Sequence, residues 1–380
     1  GRSAAMRGDS MTEGQNARGS LVTRREALAA VAGAGLGMVS AFGVAEGADA
    51  AAGGLQTRVG NPPYPTWGTE FKQLAPNVYA YTQGGGPGVP SSAISNGACI
   101  LGPDRWMAID AFAAPPHTKA FLAAAKNLTG GRPCDRLVNT HHHADHTTGN
   151  CFFLPAEIVG HDFCREAVIK GGISDLAGRP ESWKVGKEEL KLAPPTTTFD
   201  DTSRIVYHYG NTDVHVLYNG GPAHTWGDAL IYLPQHKILW SGDIAFFYVA
   251  PAAQSGHISK WIESIDRINK MDVDVIVPGH GPVGSKRELA ETREYLVFLK
   301  TEAKRRYDRK VSPGKAAAEI EDALGKYSTW TDPAAIRTVN SVVRLYAEFN
   351  DSLTSETDTA TVAAASQEYL KIRGGSVQLR

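Results

Sequence analysis

A chain of 380 residues with 42% hydrophobic and 21% charged residues has a globular composition, long enough for one large α/β domain with additions. Its formal charge of -1 gives no electrostatic footprint for nucleic acid or an anionic membrane surface. The 4 cysteines (Cys99, Cys134, Cys151, Cys164) fit neither a CxxC pattern nor a disulfide-dense scaffold; the partner expected of the chain is a small-molecule substrate.

Residues 1–50 read as a leader. Thr23-Arg24-Arg25-Glu26-Ala27-Leu28 precedes a Gly/Ala-rich apolar stretch over 27–44, and Ala48-Asp49-Ala50 puts small residues where a signal peptidase reads them. Paired arginines before a weakly hydrophobic stretch are similar to a twin-arginine export signal, which implies a periplasmic or exported mature chain starting near Ala51. The stretch is too short and Gly-rich for a stable membrane anchor.

The folded part opens with strand-like runs at 78–83, 98–101 and 106–110, then a helix-like run at 117–127. Gly84, Gly85, Gly86, Pro87 and Gly88 interrupt the first strand pair, and their tolerance of unusual backbone angles suits a mobile lid. A short buried strand at 135–139 runs into Thr-His-His-His-Ala-Asp-His at 140–146, placing His141, His143, Asp145 and His146 within six positions. Residues two apart share a face of an extended segment, so a strand-to-helix turn aims this spacing at one point. Imidazole suits zinc, and the carboxylate beside it suits a second, harder site. His142 points away from its neighbours and is expected to pack or to support a ligand.

Residues 171–204 read as an insertion, followed by strands at 205–209, 214–218 and 229–233. His224 lies in the Gly/Pro-rich loop after the second of these, Asp243 follows the strand at 237–241 past a glycine, and His280 ends the strand beginning at Val275. Ligand-type residues at strand ends are what α/β architectures gather into sites. The aromatic loop after Asp243 (Phe246, Phe247, Tyr248) is expected to wall the pocket for an apolar substrate, with His257 and Trp261 near its rim. A helix is expected at 286–309, a second starting at Ser312-Pro313, a third at 333–353, and a polar tail from Thr354. Residues 286–353 are expected to pack on the domain; closing the pocket or forming a homodimer interface are the alternatives.

With these segments in this order, residues 75–285 resemble the metallo-β-lactamase superfamily. The resemblance implies a four-layer αβ/βα sandwich spanning 51–285, with the C-terminal helical extension packed on it. It implies two Zn2+ per chain: one held by His141, His143 and His224, a second by Asp145, His146 and His280, with Asp243 bridging them. Asp110, closing the strand at 106–109, resembles an acid that supports a metal-bound histidine. A metal-bridging hydroxide would be the nucleophile, with Asp145 orienting it and passing its proton to the leaving group. Oxygen-reducing di-iron members carry an acid where His143 stands, which disfavours that branch. The full ligand set resembles the glyoxalase II, lactonase and phosphodiesterase branches, and implies a zinc hydrolase cleaving an ester, lactone, amide or thioester. Residues 71–83 are similar to hydrolytic dehalogenases of chlorinated aromatics, one alternative; a mononuclear iron dioxygenase and a zinc-storage module are the others.

Overall fold

The computed structural model describes residues 71–82, 95–177, 179, 181–330 and 336–374. The leader at 1–50 and the Gly-rich loop at 84–88 lie outside the described residues. A first sheet has seven strands in the order β1 (Phe71–Ala75), β2 (Val78–Tyr81), β3 (Gly97–Leu101), β4 (Trp106–Ile109), β5 (Cys134–Val138), β6 (Glu157–His161) and β7 (Thr197–Phe199). It is antiparallel through β4 and parallel from β4 to β7. The second sheet has five strands, ordered β12 (Val275–His280), β11 (Ile238–Phe246), β10 (Ala229–Leu233), β9 (Thr212–Tyr218) and β8 (Arg204–Tyr209), with only β11 and β12 parallel.

Side chains two apart on a strand share a face, and both faces here are buried. Ala98 and Ile100 of β3 point inward with Ile109 and Val138, meeting Val214, Val216, Ile231, Trp240 and Val277 of the other sheet. Cys99 and Leu101 point outward onto Phe121 and Ala125 of α1 (Pro115–Thr129). The outer face of the second sheet, through Leu230 and Leu239, meets Trp261, Ile265 and Ile268 of a helix over Ile258–Asn269. These contacts build the expected α/β/β/α layering.

The remaining helices are, in chain order, α2 (Ala144–Thr147), α3 (Asp162–Gly171), α4 (Glu181–Lys184), α5 (Ile258–Asn269), α6 (Lys286–Asp308), α7 (Pro313–Asp322), α8 (Ile336–Phe349) and α9 (Thr359–Ile372). None of the described helices is long and apolar enough to cross a membrane. The insertion contributes β7, which pairs with β6 and extends the first sheet. Helix α6 starts with a reciprocal capping box between Ser285 and Glu288.

Two expectations differ from the structure. The residues after Thr354 hold the helix α9, because Ala365 and Tyr369 bury one face against the other C-terminal helices. Ser312 stands at the N-cap of α7 without capping it; its hydroxyl turns to Glu368 of α9. The Glu368 carboxylate accepts from the Gly314 and Lys315 amides at 3.1 and 3.3 Å instead, so the supposed tail caps the helix it packs on.

His117, in the first turn of α1, is 2% exposed and lies 5.9 Å from the Trp183 ring. Its Nε2 has no hydrogen-bond partner among the described residues. Burial lowers its pKa from the usual 6.5 to about 4, so folding favours the neutral ring. That contribution is intact above pH 6.5 and is lost as the pH falls toward 4. Urea unfolding at pH 7 and pH 4.5 should show His117→Phe losing less stability than the parent chain, by roughly 2 kcal/mol. Equal losses in both proteins would remove His117 from the acid response.

Candidate metal centre

Loops at the same edge of the two sheets bring the ligand-type residues together. His141 and His143 leave the end of β5, and Asp145 and His146 begin the short helix α2. His224 comes from the β9–β10 loop, Asp243 from within β11, and His280 from the last position of β12. The donor atoms form two groups: His141, His143, His224 and Asp243, and Asp145, His146 and His280, each group's atoms lying within 4.8 Å of one another.

In the first group, His143 Nδ1 lies 3.1 Å from His141 Nε2 and 2.8 Å from His224 Nε2. Asp243 Oδ2 is 3.2 Å from His224 Nε2 and 3.8 Å from His141 Nε2. In the second, His280 Nε2 is 3.1 Å and His146 Nε2 3.5 Å from Asp145 Oδ2. Asp243 touches both groups, with Oδ1 3.2 Å from His146 Nε2 and Oδ2 3.4 Å from His280 Nε2. His146 Nε2 and Asp243 Oδ1 are nonetheless buried without a hydrogen bond among the described residues. Buried polar atoms left in this state, all aimed at a common space, fit a cation better than they fit one another.

The electrostatics divide the two groups: burial favours neutral rings in the first. In the second, Asp243 with Asp110 and Asp145 outweighs burial and raises His146, and Asp243 with Asp145 raises His280, so positive charge stands beside the carboxylates where a cation would otherwise supply it. Burial holds His141 and His224 well below the usual imidazole pKa and His143 at about 4, so these rings keep a lone pair to give. Burial also pushes the Asp243 carboxyl up, but His280, His146 and His224 outweigh it and hold it well below its usual value. Burial likewise pushes Asp145 up, with His146 and His280 reversing it. Neutral imidazoles and ionised carboxylates are the protonation states in which these groups ligate a divalent metal.

Supporting contacts fix these positions. Asp110, at φ 57°, accepts from the Thr140 amide and hydroxyl, both at 2.8 Å, while its Oδ2 lies 2.7 Å from His146 Nδ1. This turns His146 Nε2 toward the cluster. Asp228 accepts from the Thr225 amide at 2.8 Å and hydroxyl at 2.6 Å, bracing the His224 loop. The Asn96 side-chain amide donates to the Pro278 and Gly281 carbonyls at 2.9 and 2.7 Å, clasping the turn that carries His280. A Cβ on Gly279 would fall 1.7 Å from Asp243 Oδ1, so only glycine admits the carboxylate here. Thr140, Asn96 and Asp228 are ordinary polar residues in the sequence, and only their burial marks them.

The expected substrate contacts are placed differently. Phe247 is 1% exposed and belongs to the core, its ring packed toward Gly284 rather than toward the cluster. The ring that meets the ligands is Phe246, stacked on His280 at 5.2 Å and tilted against His224 at 5.6 Å. A β-strand puts successive side chains on opposite faces, and the strand continues through Phe246. Tyr248 is half-buried on the α6 side, where Glu288 and Glu291 add to the rise burial causes in its pKa. His257 sits at the start of α5 with Nδ1 3.4 Å from Glu348, lining a cleft with Trp226 and Phe349 away from the two ligand groups. Trp261 is fully buried and donates to the Ile244 carbonyl. His142 is turned toward Phe163.

Comparison with known proteins finds similarity over the same region. Residues 94–280 match the family model of the metallo-beta-lactamase superfamily. The chain is 27% identical over 236 residues to a metallo-beta-lactamase type 2 of Bacillus sp., covering 60% of this chain and 81% of that protein. It is 23% identical over 195 residues to the 2,4-dinitroanisole O-demethylase subunit alpha of Nocardioides sp., covering 50% of this chain. The chain spans only 53% of that subunit's length. Among solved structures, the stereoselective inverting sec-alkylsulfatase Pisa1 of Pseudomonas sp. superposes with a TM-score of 0.55 at 16% identity, covering 74% of this chain and 50% of that one. This last likeness is one of fold.

Changing Asp110 to Asn would set an amide donor or a weaker acceptor against His146 Nδ1. Metal affinity at the Asp145–His146–His280 group is expected to fall about 10- to 100-fold with the fold retained. Chelator competition alongside circular dichroism measures both; unchanged affinity would deny Asp110 its supporting role.

Proposed function

We propose that this chain, whose residues 94–280 form a metallo-beta-lactamase superfamily domain, is a zinc-dependent hydrolase of a small substrate with an ester, lactone, amide or thioester bond. The observation that carries this reading is the convergence of seven donor side chains in two groups, with the Asp243 carboxylate in contact with both. His141, His143 and His224 would hold one zinc, Asp145, His146 and His280 the other, and Asp243 both. Bound zinc supplies Lewis acidity, lowering the pKa of a coordinated water from about 15.7 to about 7 and polarising the bond to be cleaved.

The chain's own contribution is position and proton handling. Asp145 keeps 22% of its side chain exposed, against 3% for Asp243, so it is the carboxylate that faces an incoming substrate. It would orient the attacking water, take its proton and return it to the leaving atom. Asp243, enclosed and held ionised, stays a fixed negative charge. Phe246, stacked on His280, keeps the imidazole edge-on to the cluster and excludes water behind it.

A second reading rests on the likeness to the 2,4-dinitroanisole O-demethylase subunit. The same site would then direct water at an electron-poor aromatic ring and displace a halide or alkoxide, as in the dehalogenase alternative. The paired arginines at Arg24 and Arg25 support export of the folded enzyme under either reading.

Turnover of the zinc-loaded chain should be measured with and without chelator on a cephalosporin, an acyl-homoserine lactone, an aryl ester, a thioester, a phosphodiester, an alkyl sulfate, a nitroaryl ether and a chlorinated aromatic nitrile. Chelator-sensitive cleavage of an acyl compound is expected. Cleavage confined to the aromatic ethers or halides would favour the second reading, and iron content with oxygen uptake would overturn both. Asp145→Ala should retain the fold and lose turnover by at least about 100-fold, the scale of a lost general base. Asp243→Ala should bind close to one zinc per chain by metal analysis; two tightly held ions would show that Asp243 joins nothing.

A further inference from the structure

His143 differs from the other first-group histidines in the partner of its second ring nitrogen. Its Nδ1 faces His141 and His224, and its Nε2 lies 3.2 Å from the Ser255 hydroxyl. Ser255 is 6% exposed, and its oxygen lies 3.4 Å from the hydroxyl of Thr357. Thr357 in turn donates to the Gln254 carbonyl at 3.0 Å. Thr357 belongs to the C-terminal extension, 77 positions past the end of the matched family segment at residue 280 (357 − 280).

The Gln254 side-chain amide also lies 3.4 Å from His143 Nε2, and with its oxygen turned to the ring the bonds run in one direction along the chain of hydroxyls. A carbonyl only accepts, so the Thr357 proton points to Gln254 and its oxygen is left to accept. Ser255 can then give its proton to Thr357 and turn a lone pair to His143 Nε2. The imidazole satisfies that lone pair by carrying its proton on Nε2, which leaves Nδ1 bare toward the cluster. With the relay reversed, Ser255 would donate to Nε2, the proton would move to Nδ1, and His143 could not ligate.

The segment holding Thr357 is itself clamped. Arg344 of α8, 3% exposed, donates to the Gly256 carbonyl at 2.7 Å and to the Thr354 and Glu356 carbonyls, both at 2.8 Å. One guanidinium therefore ties the strand of chain before α9 to the loop carrying Gln254 and Ser255. The same loop is held to the His224 loop by the His257 amide, which donates to the Ala223 carbonyl at 2.8 Å.

We propose that Ser255 and Thr357 are positioning residues that set the metal-competent tautomer of His143, so that the C-terminal extension completes the first metal group from outside the family domain. This rests on the metal-binding reading given above.

The test uses the full chain and four variants: Ser255→Ala, Thr357→Val, Thr357→Ser and His143→Ala. Zinc affinity is read by chelator competition, and the His143 tautomer by 15N shifts of the metal-free protein labelled in histidine. Thr357→Val keeps the shape of the side chain but frees Ser255 to donate to Nε2. It should lower affinity at the first group by about 10- to 100-fold and move the His143 ring toward the Nδ1–H form. Ser255→Ala should weaken the same group, and Thr357→Ser should restore both readouts. If Thr357→Val and Ser255→Ala bind zinc like the parent with an unchanged His143 tautomer, while His143→Ala loses a metal, the relay is overturned and the metal centre stands. If His143→Ala itself keeps both metals, the failure lies with the metal-centre reading. Should Thr357→Val not fold, the Ser255→Ala variant, which removes no packed methyl, decides the matter by the same two measurements.

Discussion

A carboxylate with almost no access to solvent must be compensated where it stands, and Asp243 is that carboxylate. At 3% exposure it sits between two histidine groups, and its ionised form persists because His280, His146 and His224 surround it. The fold makes room for it at one point: Gly279 of β12 leaves the volume a Cβ would occupy, and the β11–β12 register shifts at Gly242 as the strands pass it. Strand pairing, the glycine pattern and the two ligand groups are all conditioned by the need to place one buried charge.

Around that charge the two sheets act as a rigid frame whose loops are stitched across the gap. The Ala229 amide donates to the Thr140 carbonyl at 2.7 Å, joining the second sheet to the histidine run of the first. Asp110 joins β4 to the same run through Thr140 and to the second ligand group through His146. Donor residues drawn from four separate stretches of chain can share one point only because such bonds anchor the stretches close by. The C-terminal helices belong to this frame as well. Glu348 of α8 accepts from the amides that open α5, and Arg344 holds the loop beside His143. The extension is thus continuous with the architecture of the centre, although it lies beyond the segment that matches the family model.

The histidine-rich run at 140–146 is legible because its chemistry is local: histidines and an acid at strand-to-turn spacing announce themselves without any knowledge of the fold. His224, Asp243 and His280 were legible more weakly, as polar residues ending apolar runs, and needed the family resemblance to become a set. The strands were readable from alternation and apolar runs, and the boundaries moved by a few residues where a strand such as β11 continued past its hydrophobic segment to Phe246. The aromatic wall was misplaced for the same reason, since the face each ring takes depends on where the strand ends. The stretch after Thr354 looked polar because its apolar face is narrow, a few small residues with Tyr369, and its value lies in what it packs on.

What the sequence determined by itself, then, was the class of chemistry and the order of the elements, because donor type and hydrophobic period are properties of neighbouring residues. Tertiary structure alone decided which carboxylate faces outward, which ring lies under the ligands, and that Ser255 and Thr357, 102 positions apart, meet beside His143. Those outcomes depend on burial and on bonds between distant segments, and a hydroxyl's role as donor or acceptor is set by the partner that folding brings to it.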